Sequence, residues 1–183
     1  MYLPSDDSFF FAEFLKNYFS KLKKSKKELV YYLDLGSGSG ILSETAIKEG
    51  IKKVLASDID NDSIKYVKSK KIKIIKSNLF SSPKLKNKKF DIITFNAPYL
   101  PEDKQEPKDS RLATTGGKCG DEVSLRFIKQ AKKHLKTNGR IFLLISSLTP
   151  TKRINKFKPK IVARKKIFFE ELIILQFDNS IDS

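Results

Sequence analysis

The eight residues Leu33-Asp34-Leu35-Gly36-Ser37-Gly38-Ser39-Gly40, closing the apolar run Leu29 to Leu35, constrain this chain more than any other stretch. Glycines at alternate positions let the backbone turn sharply and bring its N–H groups close to a ligand at the start of the next helix. Ile41 to Glu49, stopping at Gly50, reads as that helix. A strand, a glycine turn and a helix in succession belong in a parallel sheet. The alternation continues with Lys53 to Ser57 as a strand and Asn61 to Ser69 as a helix behind the Asp60-Asn61 turn. Lys71 to Lys76 alternates Ile with Lys, as a half-exposed edge strand does, and Phe90 to Phe95 is a buried strand. Glu122 to Leu135 reads as a helix closed by Asn138-Gly139, and Arg140 to Ser146 as a fifth strand. Ahead of these, Ser5 to Phe19 is an amphipathic helix carrying Phe10, Phe11, Phe14, Leu15 and Tyr18 on one face, and Lys21 to Lys27 is a solvated connection. Lys158 to Phe177 fits two antiparallel strands. The pattern predicts a single α/β domain over residues 1–183. Its core is a doubly wound, mostly parallel seven-stranded sheet with a C-terminal antiparallel hairpin.

Composition narrows the function classes. With 183 residues there is room for one domain with a real core. The single cysteine, Cys119, excludes an intrachain disulfide and suits a reducing cytoplasm. Asp6 and Asp7 stand where an export signal needs basic residues, and no apolar run approaches a membrane span. The net charge of +16 comes almost wholly from lysine, arginine occurring only at 111, 126, 140, 153 and 164. A basic surface can steer a protein toward nucleic acid. Nucleic-acid contacts use more arginine than this, so a lysine-rich composition of the kind heat-loving organisms carry explains the excess better.

The ends of successive strands carry the candidate binding residues. Asp34, just before the loop Gly36, Ser37 and Gly38, is placed to receive an ammonium group such as that of a methionine moiety. Asp58, with Ile59 beside it, ends the second strand where an acid takes ribose hydroxyls, a reading favoured over a cap or turn role in the crowded Asp60-Asn61 turn. Asn78 follows the third strand, within reach of an adenine edge. A hydride-transferring dinucleotide enzyme would need its third glycine two residues further on.

The fourth strand ends in Asn96-Ala97-Pro98-Tyr99. An amide nitrogen is a poor nucleophile because its lone pair is delocalised, and an enzyme helps by accepting hydrogen bonds from both of its N–H groups. The Asn96 side-chain oxygen can accept one and the Ala97 carbonyl the other. Pro98 holds Ala97 extended, and Tyr99 supplies a flat aromatic wall.

Asn-Ala-Pro-Tyr resembles the Asn-Pro-Pro-Tyr signature of amide and exocyclic-amine methyltransferases. Tyr2-Leu3-Pro4-Ser5-Asp6-Asp7-Ser8 is similar to the Pro-x-Glu-Asp-Thr opening of HemK-type protein-glutamine methyltransferases, and Gly116-Gly117-Lys118-Cys119-Gly120 to their Gly-Gly-x-x-Gly segment. The likeness runs from Tyr2 to about Ile145 and is greatest to the short archaeal and eukaryotic branch. It implies a Rossmann-like class I fold, S-adenosylmethionine as methyl donor, and the Gly-Gly-Gln glutamine of a class-I translation release factor as acceptor. Carried over, Ser8, Asp34, Gly36, Asp58, Asn78, Leu79 and Asn96 line the cofactor, and Asn96 to Tyr99 meet the substrate amide. It further implies a small zinc-binding activator pairing with the edge strand Lys71 to Lys76, which could equally be a plain solvent-facing edge. Ala97 replaces the usual first proline but keeps the carbonyl, and Asn78 stands where the family often has Asp. The segment after Thr149 leaves little room for a helix between the last strands.

Other readings remain open at this point. A methyltransferase acting on adenine N6 or guanine N2 fits the same motif, but the chain has no evident domain to read a flipped base. A protein-lysine methyltransferase and a non-catalytic RNA-binding module are further alternatives. His134, alone near a helix end, favours the helix dipole, and no metal site is expected.

Overall fold

The computed structural model describes residues 4–102 and 114–179. Tyr2, Leu3 and most of the polar loop after Leu100 therefore lie outside the described residues, as does Arg111. Helix α1 (Asp6–Ser20) begins after an extended Ser5, with Asp6 and Asp7 in the first turn, where a negative charge meets the positive end of the dipole. A second helix, α2 (Lys24–Leu29), precedes strand β1 (Tyr31–Leu35). The chain continues through α3 (Ile41–Lys48), β2 (Lys53–Asp58), α4 (Asn61–Ser69), β3 (Ile74–Lys76) and β4 (Phe90–Asn96). It closes with α5 (Glu122–Lys132), β5 (Leu135–Ser146), β6 (Lys160–Ile167) and β7 (Glu170–Asp178).

The seven strands form one sheet in the order β3-β2-β1-β4-β5-β7-β6. The first five run parallel, and β7 pairs antiparallel with both β5 and β6. This is the expected doubly wound sheet with its C-terminal hairpin. Period-two alternation splits the core between the two faces. Leu33, Leu35, Ile141, Leu143 and Ile145 pack on one side with Phe127 and Ile128 of α5. Tyr32, Phe142 and Leu144 pack on the other with Phe10, Phe11, Leu15 and Phe19 of α1 and with Ala46 of α3. Each fully buried phenylalanine here contributes on the order of 2–3 kcal/mol of transfer free energy, so α1 is held by its apolar stripe rather than by propensity.

Four local readings change. Lys24–Leu29 is helical where a solvated connection was expected, and Leu29 is its exposed last residue rather than the start of β1. Helix α5 ends at Lys132, and Leu135 is already a strand residue opposite Phe90. Asn138, at φ 62°, does not cap a helix but turns the chain inside β5, where the pairing shifts between Phe90 and Ile92. The edge strand β3 is only Ile74–Lys76, because Ile72 is buried and Lys71 has φ 60°. His134 lies beyond α5, its ring stacked on Phe80 at 4.4 Å and its Nδ1 2.9 Å from the Lys88 carbonyl. Between β5 and β6 the chain makes only a short 3-10 turn, Ile154–Phe157.

Candidate functional site

The strand order reverses between β1 and β4, so the loops leaving their carboxyl ends diverge and open a crevice. Its volume is about 940 Å³, enough for a nucleoside-sized ligand and part of a second molecule. On the β1–β2 side the wall is Gly36, Ser37 and Gly38 with Asp58 and Ile59. Gly36, at φ 62°, is tight: an added Cβ would lie 2.7 Å from the Phe95 ring. Only glycine lets the loop pass there without striking that ring. The Ser37 N–H bonds the Ser57 carbonyl, while its buried Oγ finds no partner among the described residues.

Asp58 holds this loop in shape. Its Oδ2 accepts from the Gly38 N–H at 2.7 Å and its Oδ1 from the Asp60 N–H at 2.9 Å. Burial raises its pKa from the ordinary carboxylate value, against the lowering effect of those backbone donors. The helix-capping role weighed for the Asp58–Asp60 turn falls to Asp60, which accepts from the Ser63 N–H and Oγ at the start of α4.

Asp34 is placed differently. It is fully buried beneath the loop and is not part of the crevice wall. Its Oδ2 accepts from the Ser43 N–H at 3.0 Å and from Ser43 Oγ at 2.7 Å, while Oδ1 has no partner among the described residues. Burial pushes its pKa up to about 7, more than the Ser43 hydrogen bonds pull it down.

On the third side, Asn78 and Leu79 line the crevice after β3, and Arg126 Nη2 donates to Asn78 Oδ1 at 3.3 Å. Sequence reasoning did not select Arg126. Its signal is an arginine on the crevice face of α5, in a chain whose cations are nearly all lysine.

The remaining wall is Asn96, Ala97, Pro98 and Tyr99 from the end of β4, with Asp7 and Ser8 from the first turn of α1. The structure thus brings every predicted site residue except Asp34 to one opening. Asn96 donates through Nδ2 to Asp7 Oδ2 at 3.1 Å, and its buried Oδ1 has no partner among the described residues. The backbone beyond it is clamped by the glycine segment: Gly116 N–H bonds the Leu100 carbonyl at 2.8 Å, and Leu100 N–H the Thr114 carbonyl at 2.9 Å. A Cβ on Gly116 would lie 2.2 Å from the Gly120 carbonyl and 2.7 Å from that of Pro98, so the two chain segments touch backbone to backbone. Asp121, fully buried at the start of α5, is bonded by the Arg153 guanidinium, which ties this clamp to the segment after β5.

The arrangement offers a glycine loop, an acid beside it, and an amide side chain with one unpartnered oxygen at the same opening. No histidine lines the crevice, and among the described residues no three His, Cys, Asp or Glu side chains gather as metal ligands. No helix among those residues is long and apolar enough to cross a membrane.

Comparison with known proteins places this geometry. The Methyltransferase small domain family model matches residues 13–169. A candidate protein N5-glutamine methyltransferase from Methanocaldococcus jannaschii is 38% identical over 186 residues, covering 96% of this chain and 90% of its own length. The release factor glutamine methyltransferase of Aquifex aeolicus is 33% identical over 132 residues, covering 65% of this chain, which matches 47% of the Aquifex protein. Among solved structures, the ribosomal protein L11 methylase of Lactobacillus delbrueckii subsp. bulgaricus superposes with a TM-score of 0.65 at 20% identity. That superposition covers 94% of this chain and 79% of the methylase, and it speaks for the fold alone.

Proposed function

This chain belongs to the methyltransferase small-domain family, and from that premise we propose that it methylates a glutamine side-chain amide in the Gly-Gly-Gln loop of a class-I release factor. The observation that carries the reading is the Asn96 oxygen. A buried acceptor without a partner costs roughly 1–3 kcal/mol, and a substrate N–H that reaches it relieves that cost. An amide offers two such N–H groups, and the Ala97 carbonyl is the second acceptor. Neither acceptor is a strong base, which suits a nucleophile that only needs aiming and enriching. Tyr99 stands beside them as the aromatic wall against the planar amide. The names of the Methanocaldococcus and Aquifex relatives support a glutamine acceptor.

S-adenosylmethionine, when bound, supplies a methyl group made electrophilic by its sulfonium. The residues present fit it. Gly36 leaves space where a side chain would strike Phe95, Ser37 keeps an unpartnered buried hydroxyl, and Asp58 retains lone pairs beyond those its two backbone donors use. Ile59 gives an apolar edge, and Asn78 with Leu79 faces the base position from β3. The zinc-binding activator would add its strand to β3, which offers only the three residues Ile74–Lys76.

The test is methyl transfer from labelled S-adenosylmethionine to a release factor, to its Gly-Gly-Gln→Gly-Gly-Ala variant, and to RNA and DNA, with and without the zinc protein. Label on the intact factor alone, lost in Asn96→Ala, is the expected result. Label on nucleic acid would overturn the protein acceptor and leave the methyl donor standing.

A further inference from the structure

Asn96 can serve as an acceptor only if its amide is turned the right way, because a flip of about 180° exchanges a carbonyl oxygen for an NH₂ group. What sets that orientation is 89 residues away in sequence. Asp7, in the first turn of α1 and only 6% exposed, points one carboxylate oxygen at Asn96 Nδ2, 3.1 Å away. The carboxylate oxygen stands there as an acceptor for the Asn96 NH₂. The reverse flip would set Asn96 Oδ1 against Asp7 Oδ2, oxygen to oxygen in a buried site, and is excluded on that ground. Asp7 is itself fixed: its other oxygen accepts from the Ser8 N–H at 2.5 Å, from Ser5 Oγ at 2.6 Å and from Ser8 Oγ at 3.1 Å. The Ser8 N–H can only donate, so the oxygen facing it must remain an acceptor.

We propose that Asp7 is a positioning residue that locks the Asn96 amide with its oxygen toward the substrate. The inference rests on the reading of Asn96 as the acceptor for a substrate N–H. It extends that reading to a residue that touches neither the reacting nitrogen nor the methyl donor. The same device selects the acceptor chemistry. With the NH₂ engaged by Asp7 and Oδ1 left without a partner, the site attracts groups that donate hydrogen bonds, such as amides and amines, and repels ring nitrogens or carboxylates that only accept.

The substitution that separates positioning from mere support is Asp7→Asn. Its single oxygen is claimed by Ser5 and Ser8, which leaves its NH₂ facing Asn96; Asn96 must then flip and present its own NH₂ to the substrate. Asp7→Asn is therefore expected to lower kcat by about 10²-fold, while Asp7→Ala, which leaves Asn96 free to choose, lowers it by roughly tenfold. In both variants KM for the release factor and Kd for S-adenosylmethionine stay within about threefold of the wild type.

A second readout needs no turnover. In ¹⁵N-labelled protein without substrate, the Asn96 side-chain NH₂ signals are expected to exchange slowly with water and to show nuclear Overhauser contacts to the Asp7 β protons. Both features vanish in Asp7→Asn. Wild-type kcat in Asp7→Asn, or unchanged Asn96 signals, would overturn the proposal. If wild-type protein fails to methylate glutamine, the resonance measurement still decides the Asp7–Asn96 lock, so the two failures are distinguishable.

Discussion

The two halves of the crevice handle their polar groups in opposite ways. In the half built from the ends of β1, β2 and β3, nearly every side chain is already engaged by the protein: Asp34 with Ser43, Asp58 with Gly38 and Asp60, Asn78 with Arg126. Asp34 Oδ1, Ser37 Oγ and Ser57 Oγ are the exceptions among the described residues. In the half built from β4 and the first turn of α1, one group is held so that the other end of the same side chain stays open. The first half is held in shape largely by hydrogen bonds within the protein. The second carries one buried acceptor oxygen without a partner, the atom proposed to take a substrate N–H. The difference suits two tasks, holding a recurring ligand and orienting a reacting atom.

Removing the aimed atom gives the largest expected effect. Asn96→Ala should lower kcat by about 10³-fold while Kd for S-adenosylmethionine, measured by calorimetry, changes less than about threefold. Comparable losses of both would mean that the halves are not separate.

Asp34 tests whether the cradle is tuned for stability. Its folded pKa of about 7 lies above the ordinary 3.8, so the folded protein binds a proton that the unfolded chain releases. Its contribution to stability therefore falls as pH rises from about 4 to about 7, by on the order of 4 kcal/mol, and is flat above that. Denaturant melts of Asp34→Asn across this window should lack that fall. A slope identical to wild type would assign the burial penalty elsewhere.

Gly36→Ala comes next. A Cβ at φ 62° and 2.7 Å from Phe95 should cost about 2 kcal/mol of stability and weaken S-adenosylmethionine binding by roughly tenfold or more. A variant with full cofactor affinity would show that the loop is more pliable than its contacts indicate. The smallest expected effect belongs to Arg126→Ala. Losing a partly exposed 3.3 Å bond to Asn78 should change cofactor Kd by about threefold at most, with kcat intact.

Features marked by a local code were legible in the sequence. Helix α4 begins at Asn61 as expected, because Asp60 accepts from the Ser63 N–H at 2.8 Å. The wall residues after β2 and β4 could be placed because strand ends in a parallel sheet share one edge. Helix α2 was not legible, since Lys24–Leu29 buries nothing and so leaves no periodic apolar signal. Asn138-Gly139 misled because a residue with positive φ serves a helix end and a bulged strand equally well. Asp34 was assigned a ligand contact from its position beside the loop, whereas period-two alternation turns its side chain under the loop toward Ser43. The Asp7–Asn96 pair had no sequence signature beyond a family resemblance, since it spans 89 residues and depends on how α1 docks.

That docking also sets an order of events in the life of the chain. The crevice wall from the glycine loop to Leu79 lies within residues 36–79, but the Asp7–Asn96 contact joins the first turn of the first helix to the end of the fourth strand. Helix α1 emerges from the ribosome long before Asn96 and must wait, with Phe11, Leu15 and Phe19 uncovered, until the central strands are there to receive it. The Asp7–Asn96 contact can therefore form only once the fourth strand has been made.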